Sequence, residues 1–173
     1  MLLKDQSSRE GKRSLNVMNQ ADPGLAFALE FFALLAGSHL RYLGYPLVST
    51  GQTSEDAARW LYEESQQCIL AHNTASDPHF IYANKAAQAC FEYSWDEMIS
   101  LPSRLSAEAP DRAERQRLLD KVSRDGFATD YRGVRIAKSG RRFWIENVTL
   151  WQLVGTDGVL YGQAAAFHGW RDL

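Results

Sequence analysis

Arg142-Phe-Trp-Ile-Glu-Asn-Val-Thr-Leu-Trp-Gln-Leu-Val154 is the stretch on which the fold turns. It reads as one long strand. Lys138-Ser-Gly-Arg141 before it and Gly155-Thr-Asp-Gly158 after it carry the Gly and Asp chemistry of tight hairpins. Partner strands are expected at residues 127–137 and 159–167, so the C-terminal third forms three hairpin-linked antiparallel strands. Side chains of a strand alternate. One face would present Phe143, Ile145, Asn147, Thr149, Trp151 and Leu153, the other Trp144, Glu146, Val148, Leu150 and Gln152. Both faces carry large apolar residues, so both should be covered.

Upstream, strands are expected at 67–71 and 79–83, with Asp77-Pro78 in the turn between them. Helical signals follow. Asn84 can cap a turn through Ala86, Ala87 and Phe91, and Ser94 opens a capping box with Glu97. Asp111 with Glu114 would cap a longer helix whose inward positions are Leu118, Leu119 and Val122, and Gly126 stops it. Thr53 caps a helix through about Glu64, with Asp56 at its third position. A more N-terminal helix should begin at Asp22-Pro23 and end before Gly44. It is apolar nearly all round, so it must pack on a large flat surface or a second subunit. The expected organisation is a mobile segment over 1–20, a helical extension over 21–57 and a domain over 58–173. The order β-β-α-α-α-β-β-β gives an α+β domain, a five-stranded antiparallel sheet with short helices on one face.

Composition narrows the function. Apolar residues make up 45% of the 173 and charged residues 23%, which is globular. A formal net charge of −2 gives no reason to expect nucleic acid or an anionic membrane as partner. Cys68 and Cys90 lie in apolar surroundings without metal-ligand spacing, consistent with buried thiols in a reducing, cytoplasmic compartment. Residues 25–36 (LAFALEFFALLA) follow basic residues but are interrupted by Glu30 and too short to span a bilayer, so they read as a helix.

Phe80-Ile-Tyr-Ala-Asn84-Lys-Ala-Ala and Phe91-Glu-Tyr-Ser-Trp-Asp-Glu97 resemble the PAS segment in which a strand ends in an Asn-capped helix, and Lys138-Ser-Gly-Arg-Arg-Phe-Trp144 resembles a PAS hairpin. A narrower match is closer. Leu101-Pro-Ser-Arg-Leu-Ser-Ala-Glu108, Asp130-Tyr-Arg-Gly-Val-Arg-Ile136, Gly140-Arg-Arg-Phe143 and Gly162-Gln-Ala-Ala165 resemble the MEKHLA domain, a PAS-like family. The resemblance implies a regulatory or sensory module of undetermined ligand, names no cofactor and brings no catalytic residue.

The same resemblance turns the Phe143 face toward the helices, where PAS ligands bind. A ligand site would then use Phe143, Ile145, Asn147, Thr149, Trp151 and Tyr82, with Asn147 and Thr149 either reading the ligand or bonded to neighbouring strands. Phe31, Leu35, Trp144, Val148 and Leu150 would form a packing or dimer contact on the opposite face. Gly162, Ala164 and Ala166 would leave room for a ligand. A two-residue turn at Ser139-Gly140 would point Arg135 outward and a longer loop inward; the solvated position is the expected one. Arg112, Arg115, Arg117, Lys121 and Arg124 alternate with acids and read as a solvated helix face.

Flavin-adduct chemistry is excluded at Ser103, which stands in Pro102-Ser103-Arg104 where light-sensing PAS domains carry the cysteine of a short Asn-Cys-Arg motif. The helix over 111–125 contains no histidine for haem, and His39, His72, His79 and His168 lack metal-site spacing. The expectation is therefore a non-catalytic sensory module that binds a small, largely apolar ligand, forms a homodimer and signals through a separate effector. The alternative is a ligand-free interaction or dimerisation module; a more remote one is a flavin- or haem-binding sensor or a small enzyme.

Overall fold

The computed structural model describes residues 28–49 and 51–173. The expected start of the N-terminal helix at Asp22-Pro23 lies outside the described residues. Within them the elements are α1 (Leu29–Leu43), α2 (Ser54–Glu63), β1 (Gln67–His72), β2 (Phe80–Ala83), α3 (Lys85–Phe91), α4 (Trp95–Met98), a 3-10 turn (Ser103–Ser106), α5 (Ala109–Asp125), β3 (Phe127–Ile136), β4 (Arg142–Val154), β5 (Leu160–His168) and β6 (Trp170–Asp172). The sheet order is β2-β1-β5-β4-β3, all antiparallel. A sixth strand, unforeseen in the sequence, pairs Trp170–Asp172 with the first half of β4.

The caps explain most helix boundaries. Thr53 Oγ1 accepts from Asp56 N–H, and Ser94 and Glu97 form both halves of a capping box. Gly44 and Gly126 end α1 and α5 in the left-handed region, at φ 79° and 90°. A side chain at Gly126 would also collide with the Tyr42 ring. The expected Asp111 cap is corrected: α5 starts one residue after Glu108, with Pro at its entry and no side-chain cap. Asn84, fully buried, does more than cap α3. Its Oδ1 accepts from Ala87 N–H and Ile69 N–H, and its Nδ2 donates to the Leu61 and Gln67 carbonyls, so one side chain joins α2, β1 and α3.

The sheet is covered on both sides. On one side Phe31, Leu34 and Leu35 of α1 pack with Ile69, Tyr82, Trp151, Leu153, Ala164 and Ala166. Polar contacts fix the helix: Trp151 Nε1 donates to Leu35 O, Ser38 Oγ exchanges hydrogen bonds with the Val154 backbone, and Tyr42 OH donates to Gln152. On the other side α3, α5 and the intervening turn cover Cys68, Leu70, Phe80, Phe143, Ile145, Val148, Leu150 and Phe167.

Strict alternation along β4 fails at Asn147. There φ is +52°, a left-handed conformation that Asn tolerates better than most residues. Tyr131 pairs with Val148 and Gly133 with Ile145, so Glu146 and Asn147 together oppose Arg132: a β-bulge. A second bulge, at Thr129 and Asp130 (φ +57°), offsets it on β3. The bulge reverses the facing of everything after it. Phe143 and Ile145 face the helices as expected, but so do Val148 and Leu150, while Trp151 and Leu153 lie under α1.

Candidate ligand cavity

Between the sheet and α5 lies a cavity of about 50 Å³, walled by Leu70, Phe80, Phe91, Ile145, Val148, Leu150 and Phe167. Its floor includes the cross-strand row Leu70, Ala165 and Leu150, where Ala165 leaves the space a larger residue would take. A larger cleft of about 400 Å³ adjoins it, lined by the β1–β2 loop, Ser103 and Gln116. The two share His72, Arg115, Leu119 and Gln163 in their walls.

Polar groups gather at that shared wall and on the β3 side of the inner cavity. Arg135 is buried, its guanidinium donating to Val134 O at 2.7 Å and Tyr131 OH at 3.3 Å. Tyr131, Gly133 and Arg135 project on one face of β3. A Cβ at Gly133 would lie 2.2 Å from the Tyr131 hydroxyl, so glycine permits this approach. The solvated position expected of Arg135 is corrected. The loop is Lys138-Ser139-Gly140, closed by Ala137 N–H to Arg141 O, with Gly140 at φ 89°. This three-residue connection sets Arg135 opposite Phe143 and turns it inward. Arg115 is also buried, 8% exposed, rather than on a solvated face. Its spacing from Leu118, Leu119 and Val122 puts it on the sheet-facing stripe of α5. Burial and the nearby Arg135 charge lower its pKa to about 10.

His72 is placed by the backbone. The His72 carbonyl approaches Gly162, where a Cβ would lie 1.9 Å away, so β1 and β5 reach this closeness only through glycine. The His72 Nδ1 lies 2.9 Å from Asn73 O and must carry the hydrogen, since a carbonyl only accepts. Burial holds the imidazole neutral, its pKa lowered to about 4, with Arg115 adding to the effect. Its Nε2 is then an acceptor. Gln163, which lines both the cavity and the cleft, donates through Nε2 to Leu119 O and Ser123 Oγ. Three buried polar atoms lack a hydrogen-bond partner among the described residues: His72 Nε2, Gln163 Oε1 and Ser103 Oγ.

The expected site residues separate accordingly. Ile145 lines the cavity and Phe143 lies in the same buried cluster. Trp151 and Tyr82 lie on the opposite side, Tyr82 stacked on Phe31 at 5.1 Å. Asn147 is exposed at the bulge, and Thr149 is half-buried beside Ala166. Val148 and Leu150, expected beneath the N-terminal helix, line the cavity instead. Trp144 is half-buried under the Arg132 guanidinium, 4.1 Å from its ring centre. Phe31 and Leu35 meet their own sheet, and the room beside Ala164 and Ala166 is taken by α1. His39, buried, donates through Nδ1 to Tyr45 O. Cys68 and Cys90 are buried free thiols, and burial raises the Cys90 pKa. No metal-binding group of His, Cys, Asp or Glu occurs among the described residues.

Residues 29–172 match the MEKHLA domain. The chain belongs to the MEKHLA domain family. The match takes in α1 and α2 as well as the sheet. Solved structures that resemble this MEKHLA chain are PAS and light-oxygen-voltage domains. A PAS domain of a protein from Colwellia psychrerythraea superposes with a TM-score of 0.57 at 18% identity, covering 68% of this chain and 94% of that one. A PAS domain from a two-component sensor histidine kinase gives 0.51 at 18%, covering 67% and 93%. A light-oxygen-voltage domain studied with a flavin analogue gives 0.51 at 15%, covering 62% and 78%. At these identities the likeness establishes the PAS fold. No curated protein matches the sequence. No described helix is long and apolar enough to cross a membrane.

Proposed function

We propose that this MEKHLA domain is a non-catalytic sensory module that binds a small, largely apolar ligand between sheet and α5 and passes its occupancy to a second copy of the chain or a separate effector. The observation that carries this reading is the cavity itself: an apolar chamber bordered by buried polar atoms that lack partners among the described residues. Native interiors leave few such groups, and each calls for a ligand, water or ion. Ala165→Leu tests the reading by filling the chamber. A small molecule that raises the parent's melting temperature should lose that effect in the variant, which keeps its fold by circular dichroism. Equal stabilisation of both proteins would place the ligand elsewhere. The small inner volume favours a second reading, an interaction module with water in its cavity; it predicts no compound whose effect depends on Ala165.

A further inference from the structure

We propose that the ligand is a small organic carboxylate carrying a hydroxyl or N–H group, its carboxylate held by Arg115 and Arg135 and its donor by His72. This rests on the proposed ligand cavity and adds the chemistry of what enters it.

Charge comes first. Arg115 and Arg135 are 8% and 6% exposed and border the same chamber. The Arg115 guanidinium has no hydrogen-bond or ion-pair partner among the described residues, and the nearby Arg135 charge acts against its own, offset in part by Tyr131. The inner wall contains no Asp or Glu, and Asp77 in the outer cleft is already paired with Arg104. Two buried guanidinium groups without a counter-ion repel each other and lose hydration. An anion relieves both costs, and the planar guanidinium fork matches a carboxylate. A bound metal cation would compound the repulsion.

The remaining partners specify more than charge. His72 Nε2 and Gln163 Oε1 are acceptors and cannot bind a carboxylate oxygen. They need a donor on the same ligand, which a neighbouring hydroxyl or N–H supplies. The aliphatic and aromatic inner wall takes an apolar group, and about 50 Å³ limits that group to a few carbon atoms. Polar remainder can extend into the outer cleft past Ser103 and Gln116. Inorganic phosphate would satisfy the arginines but leave the apolar chamber empty.

Lactate is the simplest probe, with lactamide as its neutral counterpart, propanoate lacking the hydroxyl, and inorganic phosphate. Calorimetric titration of the parent should show lactate binding at least about tenfold more tightly than lactamide. Propanoate and phosphate should be weaker than lactate. Arg115→Met should abolish lactate binding while raising or preserving the ligand-free melting temperature, because it removes repulsion and buried charge. A purely structural arginine would instead lower that temperature. If lactamide binds as tightly as lactate, or phosphate more tightly, the carboxylate assignment is wrong and the ligand cavity stands. If no probe binds and the natively purified protein carries no small molecule, both readings are wrong; a neutral co-purified molecule refutes the carboxylate alone.

Discussion

Replacing Asn84 by alanine should be among the most damaging single changes in the domain. The side chain is fully buried and makes four hydrogen bonds: from Ala87 N–H at 3.1 Å and Ile69 N–H at 2.9 Å, and to Leu61 O at 3.0 Å and Gln67 O at 2.7 Å. Loss of the α3 cap costs about 1 kcal/mol. The three other backbone groups would each lose a partner, at about 1 kcal/mol or more. The total, about 4 kcal/mol, is a large share of the roughly 5–15 kcal/mol that holds a domain of this kind together. Asn84→Asp should be at least as harmful, because it keeps both acceptors, loses both donors and sets a carboxylate against two carbonyls. Urea unfolding followed by tryptophan fluorescence and far-ultraviolet circular dichroism measures the loss as a shifted midpoint at unchanged slope. Thr53→Ala, at an exposed cap, is the comparison and should cost about 1 kcal/mol or less. If Asn84→Ala costs no more than Thr53→Ala, the three-element junction assigned to Asn84 is wrong.

Phe31→Ala should cost about 3–5 kcal/mol by leaving a void between α1 and Tyr82, and a chain beginning at Thr53 should fail to fold stably; a soluble, equally stable truncation would make α1 an appendage. Stability should fall as pH drops below 6.5 toward about 4, because His72 binds its proton in the unfolded chain before the folded one. The slope is about 1.4 kcal/mol per unit, about 3 kcal/mol across the window, with buried His39 acting in the same direction. His72→Gln should flatten that slope, and an unchanged acid profile would show that the imidazole titrates normally. Purified protein should be colourless, since Ser103 stands where an adduct cysteine would be and α5 contains no histidine; a visible band released on denaturation would contradict this.

The architecture was legible because its signals are local. Turn glycines, the Thr53, Asn84 and Ser94 caps and the strand pattern each act over a few residues, and they placed β1 to β5 within one or two positions. The site was less legible, because it depends on facing, and facing turns on single residues. One left-handed residue, Asn147, moved Val148 and Leu150 to the cavity and Trp151 away from it. One extra residue in the β3–β4 loop turned Arg135 inward. Arg115 carries two opposed signals: its spacing from Leu119 and Val122 directs it to the sheet, while its charge and the acids beside it suggest a solvated face. Gly133, between Tyr131 and Arg135, was a second available signal, since glycine inside a strand marks a close approach. The β6 strand was missed because a three-residue segment after Gly169 is too short to show a pattern.

Native mass spectrometry of the protein purified from its own host, beside its Ala165→Leu variant, tests the central claim most directly. The account predicts a parent mass that exceeds the bare chain by one small molecule, released on denaturation and absent from the variant. A parent carrying nothing, or a molecule retained equally by Ala165→Leu, would contradict a ligand site between the sheet and α5.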